Sequence, residues 1–235
     1  MIRITIALAL ACSAIAFAQV PSPDPDYLTM GPIERYLMPS ASGEIALART
    51  AAPPSISAEA TILVLTKTEF VTAVNGTNGW VCLVGRAFQG GLDDPELWSW
   101  RNRSPVCLNP PAVKSVLPYY LARARWALAG ATREEMAQKA QAAYASHQFT
   151  DPLPNSFSFM LSKQGYLNDS VKGPWHPHVM LFVATNQMET WAAGFDGSPI
   201  LAPPPNTERA YEPITIDIPV RRWSDGSLDL PKSKS

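Results

Sequence analysis

The sequence is poor in the features that announce an activity. It has only three histidines and three cysteines, and its 19 basic residues are matched by 20 acidic ones. A net charge of −1 leaves no basic field to hold a phosphate backbone, which excludes nucleic acid as a partner. There is no Gly-x-Ser-x-Gly elbow, no Ser-x-x-Lys pair and no glycine-rich phosphate loop, so acyl-transfer and nucleotide chemistry of the usual kinds lack their signatures. After the first two dozen residues no apolar run approaches the length of about 20 needed to span a bilayer.

What is present begins with an address. Met1-Ile2-Arg3 carries a single positive charge, the run to Ala11 is apolar, and Ala16-Phe17-Ala18 has the small-x-small form of a cleavage site. Residues 1–18 therefore read as a secretory signal peptide, which places the mature chain in the periplasm or outside the cell. A lipoprotein anchored through Cys12 is the alternative, although Ala9 stands where such a signal carries a large apolar residue. Removing 18 of 235 residues leaves 217, enough for one domain with its own core, and loss of Arg3 takes the charge from −1 to −2.

Cleavage also removes Cys12, so that Cys82 and Cys107 remain as an even pair. In an oxidising compartment two cysteines predict one disulfide, with two buried free thiols as the alternative. Proline is abundant, 23 residues scattered through the chain, as expected for short elements joined by rigid connections.

The hydrophobic patterning predicts an α+β fold with an antiparallel sheet. Residues 19–60 read as an N-terminal segment with a short helix within Tyr27–Met38. Residues 61–223 read as one globular domain and 224–235 as a flexible tail. Thr61–Thr66, Phe70–Val74 and Trp80–Val84 are apolar runs, the last two separated by two Asn-Gly pairs, and they predict a three-stranded meander over 61–84. Residues 85–111 read as a long irregular segment. A helical hairpin is predicted over 112–146: Pro118 kinks or restarts its first helix, and Thr132 and Glu135 form a capping box for the second. Phe157–Lys163, His178–Ala184 and Ile214–Val220 read as later strands.

Two constellations are candidates for function. Trp98 and Trp100, two apart in the irregular segment, can present their rings to one side for a sugar or a protein; Trp80, Trp126 and Trp191 read as core. His176 and His178 flank Pro177, and in extended backbone they project to the same side. There they could chelate a divalent metal with a carboxylate such as Asp151, Asp169 or Glu189. The competing reading is a rigid strand entry with no metal. Three N-x-S/T sequons occur, at Asn75, Asn102 and Asn168.

Several stretches together, among them Glu44–Arg49, Asn78–Val84, His176–Met180 and Trp223–Gly226, resemble a group of secreted bacterial proteins of unknown function. The resemblance implies one domain in a bacterial envelope setting and brings no activity or cofactor. The leading expectation is a non-catalytic exported domain that binds a small molecule, a glycan or an envelope protein. The competing ones are an extracytoplasmic hydrolase using a metal on His176 and His178, and a structural envelope component with no pocket.

Overall fold

The computed structural model describes residues 27–184, 187, 189–192, 195–198 and 214–229. The expected signal peptide, its cleavage site and Cys12 lie outside the described residues, as does 230–235. Among these residues the architecture is α+β: a sheet of seven strands, mostly antiparallel, with helices on both faces. Among the described residues no helix is long and apolar enough to cross a membrane.

The strands are β1 (Thr61–Leu65), β2 (Phe70–Val74), β3 (Val81–Gly85), β4 (Ser104–Leu108), β5 (Phe157–Met160), β6 (His178–Val183) and β7 (Ile214–Pro219). Their order is β2-β1-β3-β4-β5-β6-β7. β1 and β2 pair antiparallel, but β3 lies parallel to β1 on its other side, so 61–84 is not the meander its two Asn-Gly pairs suggest. The loop is committed elsewhere. The Thr77 amide donates to the Glu59 carbonyl (2.8 Å) and the Asn78 amide side chain to the Ile56 carbonyl (2.8 Å). A Cβ on Gly76 would lie 2.2 Å from the Thr61 nitrogen. The loop therefore crosses the start of β1 in close backbone contact, a path open only to glycine at that point, and delivers β3 to the far side.

The irregular segment expected over 85–111 contains the sheet's middle strand, β4, in full register with β3. Pro105 conceals it, since proline within an apolar run usually argues against an interior strand. Cys82 and Cys107 face one another in that register and form the disulfide.

Strand alternation gives the sheet two different faces. Leu63, Leu83, Val106, Leu108 and Phe182 enter the main core. They pack under α3 (Pro110–Ser115), α4 (Leu117–Leu128) and α5 (Arg133–Ala145). Asn109 caps α3 by accepting from the Ala112 amide, and Pro118, which can stand only in a first turn, makes α4 a separate start. Gly130, at φ +84°, leads out of α4. The Thr132–Glu135 box caps α5 in both directions. On the opposite face Ile62, Cys82, Val84 and Cys107 pack with alanines of α1 (Ala41–Arg49) and its continuation toward α2 (Pro54–Ser57).

The N-terminal segment is thus packed onto the sheet, and one buried ion pair fixes it there. Glu44 of α1 accepts from the Arg86 guanidinium at 2.9 Å and from the Leu65 amide at 3.2 Å. Both side chains are essentially sealed from solvent, 2% and 0% exposed. The remaining Arg86 donors reach the carbonyls of Tyr36 (2.7 Å) and Val84. The tail expected to be flexible from 224 is anchored at its start: the Ser224 amide donates to the Leu161 carbonyl (2.9 Å) and Lys163 pairs with Asp225 (2.9 Å).

Candidate functional site

The main-core face of the sheet is not covered to its end. Beyond α4 a cleft of about 250 Å³ opens over β4, β5 and β6. Its floor is apolar, formed by Val106, Met160 and Met180, with Leu167 and Tyr120 beside them. Around the rim stand Gln89, Asp94, Glu96, Asn102, Ser104 and Asn168.

Both walls are held by buried polar groups. One wall is the chain from Arg86 to Glu96. Arg123, fully buried on α4, donates to the Phe88 (2.9 Å) and Gly90 (3.1 Å) carbonyls. Gln89 accepts from the Arg86 amide (3.0 Å) and donates to the Tyr120 carbonyl (3.3 Å). Arg133 holds the carbonyls of Leu92 and Asp94. The other wall is Asn102–Ser104 with Leu167–Asn168. The Asn102 amide donates to the Leu167 carbonyl (2.5 Å), and Ser104 donates to the Asn102 side-chain oxygen (2.9 Å). Arg103 gathers the carbonyls of Trp100, Asn102, Arg35 and Leu37, and burial pulls its pKa down to about 10.

Asp169 ties the rim together. It accepts from the hydroxyls of Tyr27 (2.9 Å) and Tyr166 (2.5 Å) and pairs with Arg101 (3.3 Å). Its amide donates to the Glu96 carboxylate at 2.9 Å. Burial acts to raise the Asp169 pKa, but these donors outweigh it and hold it below the ordinary value. Asp169 is therefore structural, and the suggestion that it completes a metal site with the histidines is not supported by its partners.

The tryptophans expected to present a binding face do not. Trp98 is 4% exposed and belongs to the main core. Trp100 is partly buried against that core, and the Arg35 guanidinium lies 4.1 Å from its ring centroid. Alternate positions share a side only in extended backbone, and 91–101 is a series of turns. Trp80 stacks on Phe159 and Trp126 packs near Phe149, whereas Trp191, expected inside, is 37% exposed. Of the sequons, Asn102 is 8% exposed and engaged in the cleft wall, which closes it to a glycan.

His176 and His178 come together with Trp175 beside the cleft. The imidazole centroids are 5.7 Å apart, and the Trp175 ring lies 3.7 Å from that of His176 and 5.1 Å from that of His178. They line a small cavity of about 20 Å³ that shares Met160, Ser104 and Leu167 with the cleft. Burial lowers the pKa of both: His178 against its bond to the His176 carbonyl, and His176 together with its like neighbour and against Asp217 and Asp229. Asp217, across from Met180 on β7, is pushed by burial to about 6, with His176 opposing the rise. Among the described residues no three His, Cys, Asp or Glu side chains gather as a hard or borderline metal requires.

The cleft itself went unseen in the sequence. Its floor is spread over three strands, Val106 on β4, Met160 on β5 and Met180 on β6, and no local motif in the sequence joins them. No family model, no curated protein and no solved structure matches the chain.

Proposed function

We propose that the protein is an exported, non-catalytic binding domain whose ligand sits in the cleft over β4–β6. The observation that carries this reading is the cleft's composition: an apolar floor with a few polar groups on rigid walls, the usual form of a small-molecule site. The Cys82–Cys107 bond supports an oxidising compartment, in keeping with the signal peptide read in the sequence and the resemblance to secreted bacterial proteins.

The lining favours one ligand class over the others. Two thioethers on the floor adapt to irregular or flat apolar shapes. Among the described residues the only guanidinium lining the cleft, that of Arg86, is neutralised by Glu44, while Asp94 and Glu96 stand on the rim. An uncharged, largely apolar molecule fits better than an anion or a glycan, which tryptophan faces would serve. A hollow of about 360 Å³ near α2 is bordered by Arg49, Thr50 and small residues and offers no apolar side chain larger than proline to grip a ligand.

Nile red, an uncharged fluorophore whose emission moves to the blue in apolar surroundings, is the probe. Saturable one-to-one binding is expected, weakened about tenfold or more by Ala87→Trp, which places an indole at the partly exposed cleft wall. A tenfold loss corresponds to about 1.4 kcal/mol. Absence of saturable binding by the folded protein, or equal binding by a folded Ala87→Trp variant, refutes the assignment.

A further inference from the structure

We propose that Met160, His178 and Met180 form a binding site for a soft monovalent cation, Cu(I) or Ag(I). The juxtaposition follows from strand register. Met160 on β5 is directly opposite His178 on β6, and directly opposed residues have Cβ atoms about 5 Å apart on one face. Met180 is two residues beyond His178 on the same strand and diagonal to Met160 across the pair, so all three project to the same side. Met160 lines both the cleft and the small cavity, Met180 the former and His178 the latter. The three side chains therefore border the two spaces, with Met160 common to both.

The imidazole is prepared as a ligand. His178 Nδ1 lies 2.9 Å from the His176 carbonyl oxygen. A carbonyl only accepts, so Nδ1 carries the hydrogen and Nε2 keeps its lone pair. Donation of the second ring nitrogen to a backbone carbonyl is how metal-binding histidines are oriented. Two thioethers and one imidazole suit a soft, singly charged ion and disfavour Zn²⁺, Mg²⁺ or Ca²⁺. Neither Cys82 nor Cys107 competes, since both are in the disulfide. The site goes beyond the organic ligand proposed for the cleft and does not depend on it.

The test uses the whole chain carrying Cys12→Ser, with its disulfide intact, titrated with silver nitrate in chloride-free buffer. Native mass spectrometry is expected to show one bound Ag(I), with quenching of Trp175 and movement of the Met160 and Met180 ε-methyl resonances. Met160→Leu and Met180→Leu preserve volume and are expected to fold. Each should weaken Ag(I) at least as much as loss of an orienting partner does, about 10–100-fold. The proposal is overturned if the folded protein takes up no Ag(I), or if the double Leu variant binds it as tightly as the parent. It is equally overturned if Zn²⁺ binds as tightly as Ag(I), which would point to His176 and His178 alone. Nile red titration of the same samples separates this failure from failure of the cleft reading.

Discussion

Glu44→Ala tests how the N-terminal helix is held to the sheet. Among the described residues the Glu44 carboxylate is the only anion that hydrogen-bonds the Arg86 side chain, the other partners being the neutral carbonyls of Tyr36 and Val84. Removing it leaves a guanidinium that is 0% exposed without a counter-charge, and strands the Leu65 amide. Breaking a buried pair from one side costs about 3–5 kcal/mol. That is a large part of the 5–15 kcal/mol typical of a whole domain. For a chain of this length each kcal/mol moves the melting temperature by about 2–4 °C, so a fall of about 6–20 °C is expected by calorimetry. The double variant Glu44→Leu/Arg86→Met removes both charges and should lie closer to the parent than Glu44→Ala does. If Glu44→Ala melts within about 2 °C of the parent, or the double variant is the less stable of the two, the charge argument is wrong.

Three further outcomes follow from named contacts. Asp217 prefers its proton in the folded state, with a pKa near 6 against 3.8. Stability therefore falls as pH rises from about 4 to 6, and Asp217→Asn should be more stable by roughly 3 kcal/mol at pH 7.5. That gain should vanish below pH 4 in urea titrations. Replacing Cys82 and Cys107 by alanine reopens a 25-residue separation and should cost about 3 kcal/mol on the chain-entropy account, read as a lower denaturation midpoint under non-reducing conditions. Trp98→Ala should cost about 3–5 kcal/mol, as a core truncation does, measured by thermal unfolding, and where folded it should leave Nile red affinity within twofold.

Local chemistry was the legible part of this sequence. The Thr132–Glu135 box, the restart at Pro118 and the strands near 61, 157, 178 and 214 depend on neighbours in the chain and appear close to where the residues place them. Long-range pairing was not legible. The parallel β1–β3 contact rests on a loop that grips the backbone of Glu59–Thr61, and β4 is masked by Pro105. The same distinction applies to the site. Cys82–Cys107 followed from counting, because the pairing of two cysteines needs no knowledge of the fold once Cys12 is set aside with the expected signal peptide. The cleft required knowing that Val106, Met160 and Met180 share a sheet face. Trp98 was misplaced because a tryptophan between turns can as well be a core anchor as a binding platform, and only its packing decides.

The cleft's occupancy is tested most directly by the methionine methyl spectrum. With ¹³C-methyl methionine in the whole chain, Nile red should shift the ε-methyl signals of Met160 and Met180 on the cleft floor and leave that of Met136, sealed in the core on α5, where it was. Saturable binding that leaves both floor methionines unmoved would contradict the account.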